Sequence, residues 1–265
     1  MIKEWLAEYK PLNTGQANQA LREIMKEIAL AGLARSGFFE KAAFYGGTAL
    51  RIFHDFPRFS EDLDFSLLTP DPEFELQPFL DGMHTEFTAL GIDVRVTKKE
   101  LVLKDIIPQE RTGPMPDIRI KLEVDTRPPQ GFTTEENLVI RPYSFYVRCF
   151  SLPDLFAGKM HALLFRKWKN RVKGRDWFDL EWYIKKGVPL NLGHLRNRAA
   201  DSRDWDKKKM TRVQLMDLLT KKINSVSFNN IRVDIIRFIP DTKQLDIWSA
   251  RYFTDLIQKL KTIEN

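Results

Sequence analysis

One segment constrains this chain more than any other. Ala42 to Tyr45 is a short apolar run, Gly46-Gly47 breaks it, Thr48 to His54 has helical spacing, and Leu63 to Leu68 alternates Leu, Asp, Phe and Ser. A strand, a double glycine, a helix and a second strand make an α/β unit whose helix starts at a turn stripped of side chains. Glycines there let the backbone approach a ligand closely, and the N–H groups at a helix start attract phosphate. Asp62 and Asp64 lie two apart on the second strand. A period of two puts both carboxylates on one face. Like charges so placed raise a pKa or demand a cation. Mg²⁺ (or Mn²⁺) meets that demand, because it takes oxygen ligands, keeps waters and shares substrate phosphates. Alone, a Gly-Gly is commonly a plain turn and an Asp-x-Asp commonly a solvated face. Their succession in one strand–glycine–helix–strand unit points to a phosphate and metal site.

A third carboxylate is available. Ile118-Arg-Ile-Lys-Leu-Glu-Val-Asp alternates cleanly, which turns Ile118, Ile120, Leu122 and Val124 to the core and Arg119, Lys121, Glu123 and Asp125 away from it. Glu123 joins Asp62 and Asp64 if the two strands are neighbours, and Asp125 is the less favoured choice. Three carboxylates suit two metal ions about 3.5–4 Å apart, which clamp the attacking and leaving oxygens of an in-line displacement at phosphorus.

Around this unit the chain reads as an α+β protein. A helix over 13–35 comes first, a helical pattern covers 74–90, and strands follow over 92–97, 101–106, 118–125, 138–140 and 145–150. From Ser151 helical patterns dominate, over 153–168, 175–186, 191–200, 211–223 and 244–262, while 226–239 suits either state. The expected architecture is a mixed sheet with flanking helices over 1–150, followed by a mostly helical half over 151–265.

The helical half carries a second cluster. On a helix over 153–167, Leu155, Phe156, Lys159, Leu163 and Arg166 share a stripe that is otherwise apolar. Lysine is almost never buried unless paired. Asp176 and Asp179 share a face of the next helix, so Lys159 paired with Asp176 or Asp179 is the natural expectation. His54 and His161 read as structural, Cys149 as a small buried residue, and Trp168, Trp177 and Trp182 as packing.

Charge adds an asymmetry. The net formal charge is +6, yet Arg166 to Lys222 holds 17 Lys and Arg against 7 Asp and Glu, leaving 25 against 29 elsewhere. The basic block is either a solvated face or a surface that tracks an RNA backbone. A single cysteine and four scattered histidines exclude a disulfide framework and a cysteine-rich zinc site. With no apolar leader and no run of about 18 apolar residues, a cytoplasmic protein with no membrane contact is expected.

These motifs resemble one family. The pattern Gly46-Gly47-Thr48-Ala49-Leu50, then Arg58-x-Ser60-x-Asp62-x-Asp64-Phe65, then Lys159 with Arg175-Asp176-x-x-Asp179-Leu180, is similar to the AbiEii/AbiGii toxins. That family lies in the DNA polymerase β-like nucleotidyltransferase superfamily and supplies toxins of toxin–antitoxin and abortive-infection systems. The likeness covers roughly residues 40–185. Where many superfamily members carry serine, this chain carries Gly47, so Thr48 supplies the hydroxyl or none is needed.

The resemblance implies an enzyme using an NTP and Mg²⁺ (or Mn²⁺), with the tRNA 3′ end as the favoured acceptor and an AbiEi-like antitoxin as partner. Asp62, Asp64 and Glu123 would hold metal. Gly46, Gly47, Thr48, Arg58, Ser60, Arg166 and Asp179 would contact nucleotide or substrate, and Lys159 and Asp176 from the helical half would complete the catalytic set. The alternatives are AMPylation of a protein and a non-catalytic nucleotide- or RNA-binding module.

Overall fold

A computed structural model describes residues 1–96, 100–103, 118–166, 173–206, 209–239 and 241–264. The chain forms two compact units. The first comprises Met1–Asp55, Phe59–Pro128 and Glu135–Cys149; the second comprises Phe56–Arg58, Pro129–Thr134 and Phe150–Asn265. The chain thus passes between units at 56–58 and 129–134 as well as after Cys149.

In chain order the first unit holds α1 (Ile2–Glu8), α2 (Thr14–Arg35), β1 (Ala42–Tyr45), α3 (Gly46–Phe53), β2 (Leu63–Leu67), α4 (Gln77–Ala89), β3 (Val94–Val96), β4 (Glu100–Leu103), β5 (Ile118–Asp125), β6 (Thr134–Val139) and β7 (Phe145–Phe150), the last two sharing an end residue with the second unit. Among the described residues these strands form one mixed sheet in the order β3-β4-β5-β2-β1-β7-β6. β1 runs antiparallel to β2 and parallel to β7, and β2 runs parallel to β5.

Helix α2 starts where the sequence allows a cap: the Asn13 side chain accepts from the Gln16 N–H at 2.9 Å. Its apolar stripe of Leu21, Ile24, Met25, Ile28 and Leu33 is buried. Where α2 meets α4, a Cβ on Gly32 would lie 2.6 Å from the Met83 Cα, so the two helices touch backbone to backbone. Ile118, Ile120 and Leu122 of β5 and Leu63, Phe65 and Leu67 of β2 enter the same core. Arg119, Lys121 and Glu123 stay exposed, as the alternation requires.

The second unit continues with α5 (Leu152–Phe165), α6 (Gly174–Lys186), β8 (Leu190–Asn191), α7 (Leu192–Asp201), α8 (Arg212–Asn224), α9 (Phe228–Ile235), α10 (Ala250–Ile257) and β9 (Thr262–Ile263). Phe156 of α5 stacks on Tyr183 of α6 with centroids 4.2 Å apart, and Trp177 packs edge-on to Phe253 of α10.

Several expectations about elements change. The ambiguous stretch 226–239 is helical over α9. The expected long helix over 244–262 is instead a short turn, α10 and β9. Ser249 is extended and its hydroxyl accepts from the Tyr252 N–H at 3.2 Å, so a new helix begins there. Helix α4 starts at Gln77 rather than Phe74, and β6 starts at Thr134, earlier than its apolar residues suggest.

Candidate functional site

Two groups of polar side chains stand out, one inside each unit. In the first unit, β1 ends at Tyr45 and α3 begins at once with Gly46. Tyr45 is the N-cap of this eight-residue helix, and its own side chain makes no cap bond. Gly46 takes φ +87°, and a Cβ there would land in the Asp64 carboxylate. The turn therefore needs glycine twice over, for its backbone angle and for the closeness of Asp64.

The sheet brings the acidic residues together. Tyr45 pairs with Asp64 across β1 and β2, and Asp64 pairs with Glu123 across β2 and β5. Asp62 sits just before β2, two residues from Asp64 and on the same side. The neighbouring strands that a role for Glu123 requires are present. Asp125 pairs with Ser66, farther along. Burial, then the charges of Glu61 and Glu123, raise the Asp62 pKa, while Lys121 and Lys26 pull it down. Negative charge is thus concentrated beyond what the local cations offset.

The three carboxylates do not form a closed cage. Among the described residues no three Asp, Glu, His or Cys side chains stand together as a ready cation site. The Glu123 carboxylate is held instead by Lys121 on its own strand. What fits is a cation bound by one or two carboxylates and completed by phosphate oxygens and water, which is how Mg²⁺ usually binds. The Asp62–Asp64 pair beside the glycine start of α3 has that donor set.

In the second unit a buried charge cluster centres on Asp179, which is 0% exposed. Its two oxygens accept from Nε and a terminal nitrogen of Arg58, both at 2.7 Å. Lys159 of α5 completes the cluster at 3.0 Å. Burial alone would raise the Asp179 pKa, but the Arg58 and Lys159 charges outweigh it and leave the pKa lowered. Asp176, one turn earlier, shows the reverse. Its pKa is raised by burial and then by the charge of Asp179, with Lys159 and Arg166 opposing. The two aspartates of one helix are therefore pushed apart in proton affinity.

The matching family is the nucleotidyl transferase AbiEii toxin, type IV TA system, over residues 28–259. The chain belongs to that family. Among solved structures, a Helicobacter pylori protein assigned as a nucleotidyltransferase is 19% identical with a TM-score of 0.53, the match covering 93% of this chain and 95% of that one. JHP933 from Helicobacter pylori is likewise 19% identical at a TM-score of 0.53, covering 94% of this chain and 92% of that one. At that identity the likeness supports the mixed α/β nucleotidyltransferase fold. No curated protein matches the chain. As an AbiEii-family member it is a nucleotidyltransferase toxin of a type IV toxin–antitoxin system, and such a toxin has a cognate antitoxin.

Within this AbiEii chain some expected roles change. Arg58 does not face a phosphate: it is 3% exposed and its guanidinium is taken by Asp179. Asp179, expected to contact nucleotide or substrate, is instead 0% exposed with its oxygens taken by Arg58 and Lys159. Arg166 leaves the Lys159 stripe, because α5 ends at Phe165 and Arg166 is extended and exposed. The Thr48 hydroxyl donates to the Asp62 carbonyl. Ser60 lies in the loop before Asp62, and its carbonyl accepts from Lys26.

Residues absent from the sequence expectations also matter. Lys26 of α2 is 1% exposed, and burial pushes its pKa down to about 8. Arg51 of α3 is clamped by Glu23 at 2.7 Å. His161 stays structural, with Nε2 against the Ser202 hydroxyl at 2.9 Å and its pKa pushed down to about 4 by burial. Of the basic block, Lys167, Lys169, Arg171, Lys207 and Lys208, with Trp168, lie outside the described residues. Lys185 pairs with Glu181, and Lys186 sits over the Trp182 ring. No helix among the described residues is long and apolar enough to cross a membrane.

Proposed function

We propose that this toxin transfers a nucleoside monophosphate from an NTP to the 3′ end of tRNA, with Mg²⁺ (or Mn²⁺) as cofactor and release of pyrophosphate. The observation that carries this reading is the register Tyr45–Asp64–Glu123, which sets an acidic pair against the glycine start of α3. Main-chain N–H groups of Gly46, Gly47 and Thr48 receive the NTP phosphates. Asp62 and Asp64 hold the cation, with Glu123 beside them once Lys121 yields. When bound, the ions neutralise charge on the phosphates and orient the attacking and leaving oxygens.

In the transfer, the acceptor 3′ oxygen forms a bond to the α-phosphorus and the bond from that phosphorus to the bridging oxygen breaks. Catalysis of this kind is mainly positioning and charge stabilisation. Lys159, which pairs with Asp179 at 3.0 Å, is one residue to which the family resemblance gives a catalytic role. The proton of the attacking hydroxyl leaves to water, and Asp176, its pKa raised by burial and then by Asp179, is the other residue to which the family resemblance gives a catalytic role. The basic composition of Arg166 to Lys222 supports an RNA acceptor through salt-sensitive backbone contacts.

The test is purified protein with each α-labelled NTP, total tRNA and Mg²⁺ or Mn²⁺. Label in RNA, lost in Asp62→Asn and Asp64→Asn, is the expected result. Label running with protein would favour AMPylation of a protein target. No label in either would sink the transferase reading with these acceptors.

A further inference from the structure

A lysine inside a protein core is costly unless something specific holds it. Lys26 is 1% exposed, on a helix whose buried residues are otherwise apolar except for Glu23 and Glu27. Its carboxylate neighbours on α2 are engaged elsewhere: Glu23 with Arg51 and Glu27 with Arg141. The Lys26 ammonium instead donates to the main-chain carbonyl of Ser60. Two residues on, the Asp62 carbonyl accepts from the Thr48 hydroxyl, itself 2% exposed. Two buried donors, one from α2 and one from α3, thus hold alternate carbonyls of the loop that delivers Asp62. The carboxylates whose charge acts on Lys26 are Glu23, Asp62 and Glu61, so its charge also eases the crowding around Asp62.

We propose that Lys26 is a positioning residue that fixes the Ser60–Asp62 main chain and so sets the Asp62 carboxylate for a divalent cation. It acts through Ser60, since its burial keeps it from touching substrate. An apolar side chain at this position would suit the core better, and the Ser60 carbonyl is what the lysine serves instead. The proposal rests on Asp62 and Asp64 being the cation-binding pair.

The experiment titrates Mn²⁺ alone into the full chain and follows the free-ion signal by electron paramagnetic resonance. Wild type is compared with Lys26→Met, Lys26→Gln and the double change Asp62→Asn with Asp64→Asn. Lys26→Met is expected to weaken Mn²⁺ at least about tenfold, while Lys26→Gln, which keeps a donor, recovers part of the loss. In labelled transfer, kcat should fall with the KM for NTP nearly unchanged. Mn²⁺ binding by Lys26→Met equal to wild type would overturn the proposal. If wild type binds no better than the double aspartate variant, the cation reading fails and this proposal fails with it. Circular dichroism decides folding. Loss of the fold in both Lys26 variants would assign the lysine to folding and overturn a positioning role.

Discussion

Asp179 accepts both faces of the Arg58 fork, 121 residues away in sequence, with both oxygens at 2.7 Å. Neither side chain is more than 3% exposed. A bidentate pair of this kind is strong and directional. Removing one partner strands the other charge in the core, which costs about 3–5 kcal/mol. Asp179→Asn should therefore lower the urea midpoint markedly with the slope unchanged. Arg58→Lys should be nearly as damaging, because an ammonium cannot reproduce the fork. A midpoint within experimental error of wild type for both would remove the structural role assigned to the pair.

The same cluster sets the acid response. A carboxylate whose folded pKa is lowered contributes stability that is complete above its unfolded pKa and lost as pH falls through the folded one. Asp179 is such a group. Asp62, Asp176 and Glu27 are raised, so each costs stability at neutral pH and recovers it on mild acidification. Urea midpoints between pH 7 and about 2 should rise slightly on mild acidification and then fall steeply below the ordinary carboxylate pKa of about 4. Asp179→Asn should keep the rise and flatten the fall. An unchanged acid limb in that variant would assign acid sensitivity to other carboxylates.

Thr48 gives a finer probe. Its hydroxyl is the donor to the Asp62 carbonyl in a buried place. Thr48→Val keeps the shape and leaves that carbonyl unpaired, at about 1–3 kcal/mol. Thr48→Ser keeps the bond and should retain most of the stability. Transfer activity is expected to drop in the valine variant and largely survive in the serine variant. Equal activity in the two would mean that the Asp62 loop needs no anchor from α3.

The elements that announce themselves in the sequence are those with a period. β5 alternates so regularly that Glu123 falls on the face away from the core, and the pairing of β2 with β5 then sets it opposite Asp64. Helix α2 shows its cap and stripe just as openly. Arg58 and Lys26 have no such signature. Arg58 lies in a loop, and its partner is 121 residues away. Lys26 is flanked in sequence by Glu23 and Glu27, which make its helix face look solvated, yet all three are buried. The break at Ser249 was similarly hidden, because apolar spacing continues across it and only the cap bond divides the helix. Long-range hydrogen bonds decide these positions, and local spacing does not encode them.

Gly46 concentrates the argument about the site into one position. Its φ of +87° costs an alanine about 1–2 kcal/mol. The added methyl would also displace the Asp64 carboxylate, because the two occupy the same space. Backbone strain alone would lower stability and leave chemistry largely intact. Displacement of Asp64 predicts more, since misplacing a reacting group by about 1 Å can cost about 100-fold in rate. Gly46→Ala should therefore remain folded by circular dichroism, with a modest drop in urea midpoint, while labelled transfer falls at least about 100-fold. Asp64→Ala made alongside should be as inactive, and the double variant should be no worse than either single one, because both changes remove the same carboxylate from its place. A Gly46→Ala variant with near wild-type transfer would show that the carboxylate next to the α3 start is not the one the reaction uses.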